Sequence, residues 1–379
     1  MRKLLTVCIP TYKRKSSLRR CIESVITQIE KHSLTREVSI YVANDASPDD
    51  TAAVLECYQS LSYFSAVTRQ RNLGMNANIK HMLEDAAKKS DYQLIITDDD
   101  YLQADALNEI VFFLQRQNKI NGHLPAIWTP RYSYLDDGSL HCVVCDLFEQ
   151  DTFVPPSALN AGRYMANGFV LSGLLLRGDR IDYDFWKIYE DNAYFPVIFF
   201  GDLLFREGAF FWKKNVVHHT VLNECHWERW GKNDIVIEMR LFSDYVHAYR
   251  IMAARIGTSP KIVQFYCSSF ASIYRAVTGL LHSDKLKADR DLVVDAIQDL
   301  GKRNAITFDF PLYQLLLLAL AISTGVSATK SAILRALSLF SRQWLTDSRY
   351  LRRSRDYLDL LRAAPLVFRL ITNRTIAGK

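Results

Sequence analysis

The first 120 residues alternate between short apolar runs and segments with helical periodicity. The runs LLTVCIP, VSIYVAND and YQLIITDDD are mainly apolar, and each leads into polar residues. Between the first two, Ser16–Glu30 carries apolar side chains three or four residues apart, which is the spacing of a helix. Parallel strands need a long crossover, usually a helix, so this alternation predicts an α/β fold whose parallel sheet is covered on both faces.

Other elements follow the same rules of local pattern. Helices are predicted from Pro48 to about Leu61 and within residues 72–87. Residues 126–135 and 141–148 are predicted to form a hairpin, and residues 168–180 a strand and turn. A helix at Asn192–Glu207, ended by Gly208, precedes a last strand at residues 209–219. Beyond about residue 235 the pattern is helical, so we predict two domains, 1–235 and 236–379.

Polar residues follow three of the predicted strands. They are Pro10–Thr11–Tyr12, Asn44–Asp45 and Asp98–Asp99–Asp100. In open α/β sheets, ligands bind at the carboxyl ends of the strands. These three clusters are therefore predicted to meet on one rim and to form a ligand site.

The stretch LIITDDDYL places three aspartates directly behind an apolar strand. Carboxylates repel one another and are costly to desolvate, so either water or a cation must neutralise them. If the strand continues, alternation places Asp98 and Asp100 on the same side, with Asp99 as the alternative partner. A solvated helix cap is the other explanation.

Composition narrows the class of protein. A hydrophobic fraction of 49% supports a sizeable core, and a net charge of +6 suits a phosphate-bearing ligand or an anionic surface. No nucleic-acid-binding motif is present, so nucleic acid is not an expected partner. Seven scattered cysteines favour a reducing cytosol. The apolar run Leu4–Ile9 is too short for a signal peptide, so a protein that is not secreted is expected.

Five motifs in order carry a resemblance to a known family. VCIPTYKRKSSLRRCIESVITQ, YVANDASPDDT, NLGMNANI, IITDDDYLQADAL and YEDNAYFPVIFFGDLLFREGAFFWKKNVVHH resemble the inverting nucleotide-sugar glycosyltransferases of family 2. The resemblance covers roughly residues 3–220 and implies a GT-A fold, a Rossmann-like nucleotide-sugar-binding domain, here followed by a helical region. Within that family, the sequence is most similar in type to the bacterial enzymes that build surface polysaccharides. The family often has Asp-x-Asp-Asp at the strand end, and Thr97 stands at the first of these positions.

The resemblance implies a donor and a cofactor for the aspartates. The donor is a nucleotide-diphosphate sugar, with UDP or dTDP favoured, and the cofactor is Mn²⁺ or Mg²⁺ bridging its phosphates to carboxylates. Asp98 or Asp100 is expected to hold the metal while the other accepts from the ribose, and Asp99 belongs to the same site. His219 is a candidate third ligand or phosphate contact, although a structural histidine is the alternative.

The first loop and the second strand end supply the nucleotide slot in this resemblance. Asp45 accepts the N–H of a uracil-like base, although a turn or cap is the alternative. Thr11 and Tyr12 form the opposite wall after Pro10, and Arg14 reaches phosphate unless it is simply a solvated surface residue.

The third motif belongs to the same expected nucleotide-sugar site. Gly74 suits a tight turn before a helix. The remaining assigned residues are Asn44 at the second strand end and Arg71, Asn72 and Asn78 in the motif itself.

Inversion at the sugar carbon requires a base opposite the leaving group. The resemblance assigns that role to Asp191, with Glu190 as its neighbour, and helix capping by Asp191 is the alternative. Trp227 and Trp230 are candidate acceptor contacts, because aromatic faces bind sugar rings; core or membrane-interface tryptophans are equally consistent.

The carboxyl-terminal residues 330–379 are strongly basic. Eleven Lys or Arg and three Asp give this segment a charge of +8. Arginines recur every seven residues, at Arg335, Arg342 and Arg349 and at Arg355, Arg362 and Arg369. The pattern predicts interfacial helices on an anionic membrane. A packed helical domain or a homo-oligomer contact is the alternative. The apolar run Leu312–Val326 is shorter than the ~20 residues of a spanning helix.

The sequence therefore predicts an inverting, metal-dependent glycosyltransferase that extends a lipid-linked saccharide, at the cytoplasmic face of a bacterial inner membrane. A nucleotidyltransferase is the second hypothesis, but PTYKRK lacks the glycines of a phosphate loop. A non-catalytic scaffold that binds nucleotide sugar is the third, and the intact acidic residues count against it.

Overall fold

The computed structural model describes residues 2–120, 122–134, 139–220 and 235–257. The chain divides into two compact units. One comprises Met1–His226 with Ala248–Cys267, and the other comprises Trp227–His247 with Ser268–Lys379. Of the second unit, only residues 235–247 are described, and they belong to a helix. The predicted domain boundary near residue 235 stays a prediction.

An eight-stranded mixed sheet forms the centre of the first unit, in the order β3-β2-β1-β4-β10-β6-β11-β9. Its strands are β1 (Lys3–Thr11), β2 (Val38–Asn44), β3 (Phe64–Thr68), β4 (Ser90–Ile95), β6 (Ala126–Trp128), β9 (Thr152–Val154), β10 (Leu174–Leu176) and β11 (Ala209–Phe211). The four strands from β3 to β4 are all parallel. This confirms the predicted α/β class and its parallel sheet.

The central strand β1 is buried from Leu5 to Thr11, because helices cover both faces of the sheet. The helices of this half are α1 (Lys15–Lys31), α2 (Thr51–Glu56), α3 (Met75–Ala87) and α4 (Ala106–Ile120). Helix α1 turns Leu18, Ile22 and Val25 into the core, as its periodicity predicts. Each fully buried side chain of this type contributes about 1.5–3 kcal/mol of burial free energy.

A second, four-stranded sheet has the order β5-β12-β7-β8. Its strands are β5 (Tyr101–Leu102), β7 (Arg131–Tyr134), β8 (Leu140–Val144) and β12 (Val217–Thr220). Strand β5 begins directly after the acidic run, and β12 contains His219, the candidate ligand of the sequence analysis. The small sheet thus brings residues 98–102 and 217–220 together, although more than a hundred residues separate them along the chain.

Two segments predicted as single strands are each divided between the two sheets. Residues 126–135 break at Pro130, which cannot donate a ladder hydrogen bond, so β6 and β7 belong to different sheets. Residues 209–219 divide into β11 and β12, and the Lys213 amide between them donates to Asp151 instead of to a strand. The predicted hairpin survives as the antiparallel pair β7–β8.

The remaining α-helices of the described residues are α5 (Ala158–Tyr164), α6 (Tyr183–Trp186), α7 (Phe195–Arg206) and α8 (Ile235–Ile256). Helix α7 begins three residues later than predicted, because the Asn192 carboxamide accepts from the Tyr194 amide and holds a turn there. It ends before Gly208, whose φ of +79° confirms the predicted stop. Within the described ranges, no helix combines the length and apolarity needed to cross a bilayer.

One predicted helix has different bounds, and one strand was missed. Helix α2 starts at Thr51 instead of Pro48, because Asp49 accepts hydrogen bonds from the amide and hydroxyl of Thr51 and Pro48 lies in the preceding bend. It ends at Glu56, before the predicted end near Leu61. Strand β3 was not predicted, since it is a short edge strand with only Phe64 buried and offers no sustained apolar run.

Candidate functional site

The polar ends of the three predicted strands lie on one rim of the large sheet. Parallel pairing places Thr11 beside Asn44, and β4 pairs with the opposite edge of β1. The Asp45 amide donates to the Thr11 carbonyl at 3.0 Å. The predicted convergence of these clusters is therefore confirmed.

The acidic run does not continue the strand that precedes it. Strand β4 ends at Ile95, so the alternation that paired Asp98 with Asp100 does not apply, and that premise is wrong. Asp98 and Asp99 instead share one partner, Arg14 of the first loop. The Arg14 guanidinium bonds the Asp99 carboxylate and lies 3.7 Å from that of Asp98.

Asp100 lies in a different environment and is fully buried. Its carboxylate accepts from the Thr97 hydroxyl at 3.0 Å and from the Thr220 amide at 2.9 Å. His219 Nδ1 lies 3.0 and 3.1 Å from the two carboxylate oxygens. Burial alone would lower the pKa of His219, but the hydrogen bond and charge of Asp100 outweigh it and raise that pKa. Asp100 thus joins the start of β5 to the end of β12.

The pKa values of Asp98 and Asp99 shift in opposite directions although the residues are adjacent. Burial, reinforced by the charge of Asp99, raises the pKa of Asp98 to about 7. Burial also opposes ionisation of Asp99, but the Arg14 charge and the Thr97 and Arg14 hydrogen bonds outweigh it and lower that pKa. One arginine therefore compensates only one of the two carboxylates, and the raised pKa of Asp98 favours the protonated form of the other.

Two adjacent buried carboxylates with one shared arginine suit a hard divalent cation, because such ions prefer oxygen ligands and would compensate the charge of Asp98 in place of its proton. Among the residues that the structure describes, no group of three or more His, Cys, Asp or Glu side chains is arranged to hold a metal ion. The protein would thus supply one or two carboxylates, which is usual where substrate phosphates complete the coordination of Mg²⁺.

A stability measurement tests the environment of Asp98. The folded protein keeps the Asp98 proton up to about pH 7, whereas the unfolded chain releases it near 3.8. The folded state therefore binds more protons between these values, and the free energy of unfolding should fall as pH rises through this window. We expect Asp98→Asn to raise the urea midpoint in EDTA more at about pH 8 than at about pH 5.

The control for that measurement is Asp91→Asn at the opposite end of β4, where the carboxylate pairs with Arg2. An equal effect of Asp98→Asn at both pH values would contradict the raised pKa.

The second strand end holds the loop that precedes α3. The Asp45 carboxylate accepts from the amides of Leu73 and Gly74 at 2.8 and 2.9 Å, and the Asn72 side chain accepts from the same Gly74 amide. Gly74 has a φ of +86°, as a tight turn requires. Asp45 therefore has a structural role, and a base N–H would have to bind its remaining lone pairs.

Two further asparagines predicted at this site brace the same corner. Asn44 is fully buried and accepts from the Ser47 amide at 3.1 Å. Asn78 donates to the Ala43 carbonyl at 2.8 Å and accepts from the Arg69 guanidinium. Both asparagines therefore hold the backbone near the end of β2, whereas Arg71 is exposed.

A basic cleft of about 430 Å³ opens at the start of α1. It lies next to Asp98 and Asp99, here called the acidic pair, because Arg14 lines the cleft and contacts both. Tyr12 is half-buried at the end of β1, just after the buried Pro10 and Thr11. Positive side chains and a helix amino-terminus together attract phosphate groups. The cleft is lined by Lys13, Arg14, Lys15, Ser16, Ser17, Arg20 and Asp49.

Glu190 and Asp191, here called the acid dipeptide, lie on the turn before α7. Two residues that the sequence analysis missed hold this turn. Glu190 pairs with Lys80 of α3 at 2.5 Å, and the Asn76 carboxamide donates to the Glu190 carbonyl at 2.6 Å. Asp191 is exposed, and no described residue donates a hydrogen bond to its carboxylate. Only the i, i+4 spacing of Asn76 and Lys80 on one helix face hinted at a shared partner.

The predicted acceptor residues Trp227 and Trp230 lie outside the described residues. Their assignment stays a prediction.

Comparisons with known proteins relate the first third of the chain to one family. Residues 6–132 match the model of glycosyl transferase family 2. The abequosyltransferase RfbV of Salmonella typhimurium is 27% identical over 117 residues, which cover 31% of this chain and 34% of that protein. The glycosyltransferase GlyA of Streptococcus pneumoniae is 27% identical over 101 residues, covering 27% of this chain and 14% of that protein. The match therefore spans about a third or less of the length of these curated relatives.

Solved structures show where the fold belongs. S. aureus TarS, residues 1–349, superposes with a TM-score of 0.56 at 16% identity, covering 90% of this chain and 92% of that one. The same protein in complex with UDP-GlcNAc gives a TM-score of 0.53 at 14% identity. At this identity the likeness concerns the fold alone, and it confirms the predicted GT-A class.

Proposed function

We propose, from the premise that residues 6–132 form a glycosyl transferase family 2 domain, that the chain transfers a sugar from a nucleotide-diphosphate sugar to a hydroxyl of a saccharide acceptor. The single observation that carries the proposal is the rim itself. One domain contains the buried pair Asp98 and Asp99, the basic cleft, and the exposed Asp191 carboxylate on the turn that Asn76 holds. These are the groups that a diphosphate leaving group and a hydroxyl nucleophile require.

The proposed reaction is an inverting displacement at the sugar carbon. Asp191 takes the proton of the acceptor hydroxyl as that oxygen attacks, and the bond to the nucleoside diphosphate breaks on the opposite face. Asp191 is exposed, so an incoming hydroxyl can reach it. Glu190 is engaged by Lys80 and has a supporting role.

Asp98 and Asp99 are the carboxylates we assign to the donor diphosphate and its Mn²⁺ or Mg²⁺, since they face the same arginine. A divalent cation bound there would offset the negative charge that develops on the departing diphosphate. Arg14 borders both this pair and the basic cleft. Asp100 and His219 were both candidate metal ligands in the sequence analysis, and in the structure they bond one another.

UDP is the donor nucleotide that we favour, with dTDP as the alternative. Two observations support it: TarS was crystallised with UDP and with UDP-GlcNAc, and the fold is shared. The acceptor, by resemblance, is a lipid-linked saccharide of a bacterial surface polysaccharide.

The test is incubation with a panel of UDP-, dTDP- and GDP-sugars and Mn²⁺, scoring release of nucleoside diphosphate. Water can replace the acceptor, so slow release is expected even without one. Release of nucleoside diphosphate supports glycosyl transfer, whereas release of pyrophosphate from nucleoside triphosphate and sugar phosphate would indicate a nucleotidyltransferase. Tight nucleotide-sugar binding without any release would indicate a scaffold.

We further propose that the chain is peripheral on the cytoplasmic face of the inner membrane, where a lipid-linked acceptor is anchored. The arginine-rich segment 330–379, which lies outside the described residues, supports the proposal by its composition. Each arginine near an anionic surface contributes about 1 kcal/mol, and salt screens the attraction.

Replacing Arg335, Arg342 and Arg349 with Glu should release the protein from phosphatidylserine-containing liposomes and leave UDP binding unchanged. Wild-type co-sedimentation should fall as salt rises to about 0.5 M. Unchanged co-sedimentation of the charge-reversed variant would favour packing or homo-oligomer contacts instead.

A further inference from the structure

Two polar side chains on one face of helix α3 reach across to the turn that carries the acid dipeptide. Asn76 Nδ2 donates to the carbonyls of Tyr189 at 2.9 Å and of Glu190 at 2.6 Å. Its Oδ1 accepts from the Trp186 indole at 2.5 Å. One turn farther along, the Lys80 ammonium donates to the Glu190 carboxylate at 2.5 Å. The turn is thus held both through its backbone and through a side chain.

The burial of Lys80 is the unusual part of this arrangement. Lys80 is 5% exposed, whereas the Glu190 side chain is 42% exposed. A lysine is rarely buried unless it is paired, because desolvating the ammonium is costly. An apolar side chain would pack α3 against the turn without that cost. The ion pair therefore specifies a direction for Glu190, which packing alone would not do.

The same helix begins beside Asp45, the residue predicted to contact the nucleotide base. Its first residue, Met75, follows Gly74, whose amide is bonded by the Asp45 carboxylate. Helix α3 thus starts at the end of β2 and carries Asn76 and Lys80 to the acid dipeptide within its first two turns. A hydrogen-bonded helix transmits position over such a distance with little bending.

We propose that Asn76 and Lys80 are positioning residues that hold Asp191 at a set distance from Asp45 and the rest of the proposed donor site. The inference rests on the proposed function, in which Asp191 is the base. Neither residue touches the reacting atoms. They act by fixing the backbone of residues 189–192 and by pairing the Glu190 carboxylate with Lys80, whereas no described residue pairs with the Asp191 carboxylate.

The test is Lys80→Met, measured by UDP release from UDP-sugars with Mn²⁺ and by UDP binding. Turnover should fall about 10- to 100-fold, since displacement of a catalytic group by about 1 Å costs on that order. The dissociation constant of UDP should be unchanged, and the thermal midpoint should not fall, because the variant removes a buried charge. Lys80→Arg should restore part of the turnover. Lys88→Met, in an exposed pair with Asp85 beyond the same helix, is the matched control and should behave as wild type.

A double-mutant cycle separates positioning from a general structural role. If Lys80 acts through Asp191, Lys80→Met should cause no further loss in an Asp191→Asn background. Multiplicative losses, or wild-type turnover in Lys80→Met, would overturn the inference. Normal turnover in Asp191→Asn itself would instead overturn the assignment of the base, so the two failures are distinguishable.

Discussion

Replacing Asp191 with asparagine is expected to lower the turnover number at least about 100-fold, the usual scale for loss of a general base. Asparagine has nearly the same shape but cannot accept the proton of the attacking hydroxyl. Asp191 is exposed and makes no hydrogen bond to described residues, so its replacement should not disturb the fold. The measurement is UDP release from UDP-sugars at saturating donor, with and without a saccharide acceptor.

Donor affinity separates catalysis from binding in this variant. The dissociation constant of UDP with Mn²⁺ should change little, because the acid dipeptide lies on a different segment from the acidic pair and the basic cleft. Asp184→Asn is the matched control, since Asp184 of α6 is also exposed and pairs with Lys187, the residue that follows this helix. Near-normal turnover of Asp191→Asn, or collapsed UDP binding, would place the base elsewhere.

Loss of either member of the acidic pair should abolish metal-dependent donor binding. For Asp98→Asn and Asp99→Asn we expect UDP affinity in Mn²⁺ to fall more than about 100-fold, since loss of even an indirect metal partner costs about 10- to 100-fold. Both proteins should remain folded. Calorimetric titration with UDP in Mn²⁺ and in EDTA measures the metal-dependent part directly.

Asp100 provides the contrast that decides which residues serve the metal. Its carboxylate satisfies the Thr97 hydroxyl and the Thr220 amide, and each buried donor left without an acceptor costs about 1–3 kcal/mol. Asp100→Ala should therefore lower the free energy of unfolding by at least about 2 kcal/mol. If Asp98→Asn and Asp99→Asn bind UDP normally in Mn²⁺ while a folded Asp100 variant does not, Asp100 serves the metal and the assignment to Asp98 and Asp99 is wrong.

The rim of the sheet was predictable because its causes are local. An apolar strand that ends in polar residues can be recognised within about ten residues, and helices between such strands require parallel pairing. Thr11, Asn44 and Asp45 could therefore be placed together before any coordinates were known. The start of α2 and strand β3 were not predicted correctly, and the reasons are also local. Asp49 accepts from the Thr51 amide at the start of α2, and the edge strand β3 has too weak an apolar pattern to be recognised.

The segments that pass from one sheet to the other were not predictable in the same way. Residues 126–135 and 209–219 have the composition of continuous strands, and Pro130 was the only local sign of a break. Which sheet each half joins depends on partners far along the chain. Strand β12, for example, pairs with both β5 and β7.

By itself the sequence determined the α/β class, the rim and the residue types that meet there, because periodicity and strand direction are properties of short segments. Only the tertiary structure decided how those residues are used. The end of β4 at Ile95 turns Asp98 and Asp99 to Arg14, and Asp100 to His219. Lys80 meets Glu190 across 110 residues of chain. Such contacts depend on how the elements pack, and no pattern within a short segment records them.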